Sequence, residues 1–219
     1  MTVVEPRLTL ERRLLKDYPL VIACDEVGRG ALAGPVAVGA AVVDPALSRR
    51  RIPPGLRDSK LVPEPRRADV AARAASWVPH SAVGWASSVE IDEIGIMAAL
   101  GLAAVRALAD LRAHGVVPET AIVILDGNYD YITPAGAQGL RVTPVIKADR
   151  DCASAAAASV IAKVARDALM VTLHDDLPAY NWARNKGYAS LDHREAISAN
   201  GLSAHHRHSW AIANAPTLF

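Results

Sequence analysis

Two adjacent acids, Asp25 and Glu26, follow the apolar run Leu20-Val21-Ile22-Ala23-Cys24 and lead through Val27 into the tripeptide Gly28-Arg29-Gly30. Carboxylates at the mouth of a buried strand cost free energy unless a cation neutralises them, and hard oxygen donors of this kind suit Mg²⁺ or Mn²⁺. Gly28 and Gly30, lacking side chains, let main-chain groups approach a sugar or phosphate, while Arg29 adds positive charge beside the acids. A substrate touching both features would carry phosphates. The pattern therefore points to metal-dependent chemistry on a phosphodiester.

Two further acids close apolar runs. Asp126 follows residues 121–125 and precedes Gly127-Asn128, and Asp149 follows residues 142–146 and the pair Lys147-Ala148. Taken alone, an Asp before Gly-Asn is ordinary turn chemistry. If these three strand ends meet at one sheet edge, however, four carboxylates converge. Two divalent cations about 4 Å apart would relieve their repulsion, one activating water and the other stabilising the leaving oxygen. Because Mg²⁺ keeps several waters and accepts phosphate oxygens as ligands, the second ion would be fully held only with substrate bound.

Such a cluster needs a scaffold that gathers distant strand ends. Residues 20–24 read as a buried strand, and 36–43, continuously apolar and rich in valine, as its hairpin or near partner. Residues 44–65 carry Pro45, Pro53, Pro54, Gly55, Pro63 and Pro65, which makes them a surface loop presenting Asp58-Ser59-Lys60; long loops of this kind are often functional. A helix is expected over 64–76, a strand over 82–87, and a long helix over 91–113 that buries Leu100, Leu102, Val105, Leu108 and Leu111 and closes at Gly115. Strands over 121–125 and 142–146, a helix over 153–170 and a short helix over 191–200 complete the pattern, with another short helix over 8–15 before the first strand. This alternation is α/β.

At 219 residues the chain suits one large domain, or one domain with a small appendage. Half of it is apolar but only 5% is aromatic, so the core is expected to be built from Ala, Val, Ile and Leu. A net charge of +1 excludes bulk electrostatic coating of nucleic acid, so any such binding is local. Residues 180–210 hold Arg184, Lys186, Arg194, Arg207 and four histidines against Asp192 and Glu195, and Arg49-Arg50-Arg51 forms a second basic cluster; a charge run is ordinarily a solvated face. Two cysteines without metal or redox spacing argue for a reducing cytosol, with Cys24 and Cys152 as buried inert thiols. Adjacent histidines rarely converge on one ion, so His205-His206-Arg207-His208 reads as a surface contact with a nucleic-acid backbone or as local packing, and the four tryptophans as packing. With no secretory signal, and with the apolar stretch 31–43 too short and interrupted by Gly and Pro to span a bilayer, the expectation is a soluble cytoplasmic protein.

Asp25-Glu26-Val27-Gly28-Arg29-Gly30 closely resembles the Asp-Glu-x-Gly-Arg-Gly signature of the ribonuclease HII family. Seven further matches follow in order across roughly residues 20–210: Asp58-Ser59-Lys60-Leu61, Ile91-Asp92-Glu93, Leu125-Asp126-Gly127-Asn128, Lys147-Ala148-Asp149, the alanine-rich run from Ala156 to Val164, Lys186-Gly187-Tyr188 and His205-His206-Arg207. The resemblance implies a ribonuclease H-like mixed five-stranded sheet flanked by helices, with a catalytic domain over 1–172 and a small helical C-terminal extension over 173–219. It also implies that Asp25, Glu26, Asp126 and Asp149 are the catalytic acids and ligands of Mg²⁺ or Mn²⁺. The family commonly has Gly at the place of Ala148 and a small or basic residue at that of Asp151. The ligand is assigned to Asp149 because it directly follows Lys147-Ala148, leaving Asp151 as a solvated or helix N-terminal acid.

The same resemblance implies how substrate is chosen. The 2′-hydroxyl distinguishes RNA from DNA; backbone groups of Gly28, Arg29 and Gly30 would read it, Tyr188 would pack against the following nucleotide, and Ser59 and Lys60 would contact phosphate. The implied activity is endonucleolytic hydrolysis 5′ of ribonucleotides, in RNA–DNA hybrids or embedded singly in duplex DNA, by a monomer. The rivals are a related two-metal nuclease of DNA junctions and a non-catalytic hybrid-binding protein; Gly28-Arg29-Gly30 with Tyr188 argues against the first and four intact acids against the second. The ending Pro216-Thr217-Leu218-Phe219 resembles Leu-Phe tails that make weak contacts with sliding clamps, although the usual upstream Gln is missing.

Overall fold

In the computed structural model the described residues are 5–210. A short helix α1 (Thr9–Leu14) leads into β1 (Val21–Val27) and β2 (Val36–Val43), and the proline-rich loop into α2 (Glu64–Trp77). Then come β3 (Ser81–Ala86), α3 (Ser88–Ile94), α4 (Ile96–Ala113), β4 (Ile122–Asp126), β5 (Arg141–Val145), α5 (Ala148–Asp151) and the long α6 (Ala153–Asp176). Two helices, α7 (Trp182–Asn185) and α8 (Leu191–Asn200), finish the described chain. The single five-stranded sheet runs β3-β2-β1-β4-β5, with β2 antiparallel to both neighbours and β4 and β5 parallel to β1. This is the mixed five-stranded sheet that the family resemblance implied.

Helices cover both faces, which is why every residue of β2 is buried and its sequence reads as one apolar run. Val21, Ala23 and Ile124 pack in the core that includes α2 and α6, while Ile22, Cys24 and Leu125 pack in the core that includes α4. Alanine-rich helices let these layers approach closely: a Cβ on Gly39 would strike the Ala158 carbonyl of α6, and one on Gly84 the Ala103 carbonyl of α4. Both cysteines are free and buried, as are Trp77 and Trp182.

The long helix expected over 91–113 is two helices. The first begins at Ser88, because the Ser87 hydroxyl accepts from the Glu90 amide while the Glu90 carboxylate accepts from the Ser87 amide, a reciprocal cap; it ends at Gly95, whose φ is +79°. Helix α6 runs on to Asp176, through the expected boundary at 172. Beyond it, Tyr180, Trp182 and Ile197 form an apolar cluster that also takes in Met170 of α6 and Ala33 of the β1–β2 connection. The C-terminal segment is thereby packed against the loop that follows Asp25 and Glu26. The clamp-like tail, 216–219, lies outside the described residues.

Candidate active site

Parallel pairing of β1 with β4 ends at Cys24 against Leu125, so Asp25 and Asp126 come level at the carboxyl ends of neighbouring strands. There β1 outruns β4 and continues with β2 alone to Val27. Asp25 and Glu26 thus lie within β1 rather than closing it. Consecutive strand residues face opposite sides: Asp25 is buried on the α6 side, near Ser159, and Glu26 accepts from the Tyr131 hydroxyl at 3.2 Å on the α4 side.

Asp149 corrects the expectation of a third strand end. Strand β5 stops at Val145, Lys147 takes a left-handed φ of 61°, and the chain turns into α5, so Asp149 sits in a helical turn. Its amide donates to Asp126 Oδ1 at 3.2 Å, which ties the two acids together. Asp151 points elsewhere, half-exposed and paired with Arg150 at 2.7 Å.

Electrostatics couple the acids. Burial, then Glu26, Asp126 and Asp149, push Asp25 well above the carboxylate range against the lowering influence of the nearby Ser159 hydroxyl. Burial and Glu26 raise Asp126, and burial with Asp126 and Asp58 raises Asp149. The counter-charge is Lys60, its ammonium 3.4 Å from Asp149 and 3.8 Å from Asp58; burial disfavours its charge, but Asp58, Asp25 and Asp149 outweigh that and raise its pKa. Ser59, next to it, is turned inward: Ser159 Oγ donates to its hydroxyl at 3.0 Å and pins the loop to α6. Among the described residues no group of three or more His, Cys, Asp or Glu is drawn together tightly enough to cage an ion. A like-charged, all-oxygen set fits Mg²⁺ or Mn²⁺, which retain waters and complete their shells with phosphate oxygens.

Beside the acids, Gly28-Arg29-Gly30 leaves β1 with Arg29 and Gly30 exposed. The Arg29 guanidinium is 3.6 Å from Glu26. Tyr188 joins this loop from the C-terminal segment: its hydroxyl accepts from the Gly28 amide at 3.2 Å, and its ring centroid lies 5.4 Å from Arg166 Cζ and 5.7 Å from Lys163 Nζ.

The C-terminal basic stretch is largely packed inside. Arg207, His206 and His193 are fully buried. Ser203 N–H donates to His206 Nδ1, so His206 Nε2–H donates to His193 Nε2, which also accepts from Trp182 Nε1–H; His193 Nδ1–H then donates to the Tyr188 carbonyl. Burial and neighbouring His193 push His206 down to about 4, so it is neutral at physiological pH. Sequence reasoning missed Tyr131 and Arg166. The one available signal for Arg166 is its place in the stripe Ala162, Arg166, Met170, spaced by four residues and all buried.

A family model described as ribonuclease HII matches residues 22–213. A ribonuclease HII of Streptomyces coelicolor is 46% identical, with 96% of this chain and 85% of that protein aligned. Among solved structures, a Bst ribonuclease HIII in complex with Mn²⁺ superposes with a TM-score of 0.70 at 23% identity, over 95% of this chain and 71% of that one. A ribonuclease HII in complex with PCNA from Archaeoglobus fulgidus gives 0.63 at 25%, over 87% and 95%. Fold and relatives define a hydrolase of the ribonuclease H class. Within that class, the chain belongs to the ribonuclease HII family.

Proposed function

We propose that this chain hydrolyses the phosphodiester on the 5′ side of a ribonucleotide, embedded singly in duplex DNA or within an RNA strand paired to DNA, leaving 3′-hydroxyl and 5′-phosphate ends. The observation that carries the reading is the contact of Tyr188 with Gly28, which sets a flat aromatic ring and an exposed glycine loop beside the coupled acids. Asp25, Glu26, Asp126 and Asp149 would hold Mg²⁺ or Mn²⁺; the Mn²⁺-bound ribonuclease HIII of similar fold is in keeping with this. Bound there, such ions supply an activated water and charge stabilisation at the leaving oxygen.

The protein's own groups do the rest. Ser59, fixed to Ser159, holds Lys60 at the acids, where its ammonium can transfer from Asp149 to an entering phosphate. Arg29, exposed beside Glu26, is placed to meet a phosphate or sugar edge. Tyr188 offers its ring to the nucleotide beyond the ribonucleotide, where stacking selects a flat base or a compact deoxyribose. We take residues 1–172 as the catalytic domain and 173–219 as a helical extension, and the enzyme as a cytoplasmic monomer; no helix among the described residues is long and apolar enough to cross a membrane. The clamp-bound archaeal relative supports a weak sliding-clamp contact through 216–219. An incision assay on a DNA duplex carrying one ribonucleotide, beside an all-DNA control, tests the reading: cutting of both would favour a DNA nuclease, and binding without cutting in Mn²⁺ a non-catalytic protein.

A further inference from the structure

Arg166 and Arg207 are both fully buried, and neither has a carboxylate partner among the described residues. Their guanidinium hydrogens go to main-chain carbonyls instead. Arg207 donates to Arg29 O at 2.9 Å, to Gly28 O at 2.6 Å, and to Gly34 O at 3.2 and 3.3 Å. Arg166 donates to Pro35 O and Lys186 O at 2.9 Å and to Ala33 O at 3.1 Å. The two forks therefore grip the whole β1–β2 connection and splice it to the Tyr188 segment.

A trans peptide is planar, with its C=O and N–H pointing in opposite directions. Once the carbonyls of Gly28 and Arg29 are turned inward onto Arg207, the amides of Arg29 and Gly30, which share those planes, must face away. Neither amide has an acceptor among the described residues, and both residues are exposed. We propose that Arg207, backed by Arg166, is the positioning residue of the recognition loop: it aims the Arg29 and Gly30 amides at an acceptor oxygen of the ribonucleotide and so sets the preference for a 2′-hydroxyl. This rests on the loop reading given above. A lysine keeps the charge but not the planar fork that holds two adjacent carbonyls and a third at once.

The test compares wild type with Arg207→Lys for equilibrium binding, in Ca²⁺, to a duplex with one ribonucleotide and to its all-deoxy counterpart. The expected result is that the variant loses the wild-type preference by about tenfold or more, while all-deoxy affinity stays within about twofold and thermal unfolding remains cooperative. A merely structural role would weaken both substrates together. Amide hydrogen exchange on the wild type gives a second reading that needs no variant to fold: Arg29 and Gly30 should gain protection with the ribonucleotide duplex and not with the all-deoxy one. A wild type without preference between the duplexes would overturn the loop reading itself. A preference that survives in Arg207→Lys, or that is unaccompanied by protection at Arg29 and Gly30, would overturn the positioning role alone.

Discussion

Alanine at Gly28 and alanine at Gly30 should behave in opposite ways, although the two glycines flank one arginine. Gly28 has φ +84°, where an L side chain costs about 1–2 kcal/mol. Its new Cβ would also press into Arg166 Nε and lie 2.7 Å from Cζ and 2.8 Å from Cδ. Arg166 is fully buried and cannot swing into solvent, so making room means surrendering bonds to Pro35, Ala33 or Lys186. A hydrogen bond to a charged group is worth about 1.5–3 kcal/mol, and losing even one brings the total to about 2.5–5 kcal/mol. At Gly30 the backbone is outside the left-handed region and nothing lies within 4 Å of the added methyl, so stability should stay within about 0.5 kcal/mol of wild type. Urea denaturation read at equal m-values measures both. Incision rates complete the comparison: Gly30→Ala should be folded yet slow, because the methyl sits on the exposed face where a sugar would approach. Gly28→Ala unfolding at the wild-type midpoint would refute the reasoning, since Arg166 would then not be held as described.

Other outcomes follow from the same geometry. Asp25→Asn, Glu26→Gln, Asp126→Asn and Asp149→Asn should each lower cleavage by orders of magnitude in a folded protein, whereas Asp151→Asn, outside the cluster and paired with Arg150, should be mild; the reverse ranking of Asp149 and Asp151 in steady-state assays would reassign the ligand. Chelation should abolish activity and Mg²⁺ or Mn²⁺ restore it, with Ca²⁺ supporting binding better than turnover, which filter binding and incision measured side by side would check. Tyr188→Ala removes both a stacking surface and the acceptor of the Gly28 amide, and should reduce incision at a single ribonucleotide roughly tenfold to a hundredfold relative to a long hybrid; an unchanged ratio of rates would leave Tyr188 as a packing residue. His206 binds its proton less readily folded, at about 4, than at its ordinary 6.5, so the unfolded chain takes up more protons as pH falls between those values. Its contribution is fully present above about pH 6.5 and declines toward pH 4, by about 3 kcal/mol at most; His206→Gln should flatten that part of a stability–pH curve.

The sequence was most legible where periodicity and chemistry coincide. An apolar run interrupted by two acids and a glycine loop marks β1, and β4 ends where its last apolar residue meets Asp126. Legibility failed where one dihedral redirects the chain: nothing in the residue type of Lys147 announces a left-handed φ, and so Asp149 was read as a strand end rather than a helical turn. It failed again with buried charge. For Arg207 and His206 local packing was one of two readings, and the sequence could neither choose it nor name the partners, because these are carbonyls and rings more than ten or a hundred residues away, and such partners leave no local trace.

The grip of Arg207 on Gly28 and Arg29 joins positions separated by 179 and 178 residues. Contacts that distant are costly to close and come late in folding, and during synthesis the sheet bearing Asp25 and Asp126 can emerge long before Arg207 does. A nascent chain would therefore possess its acids while its recognition loop still lacked a shape. If Arg207 positions the loop as proposed, selectivity would be the last property the molecule acquires, and any event that peels the C-terminal segment from α6 would take it away first, leaving the carboxylates in place.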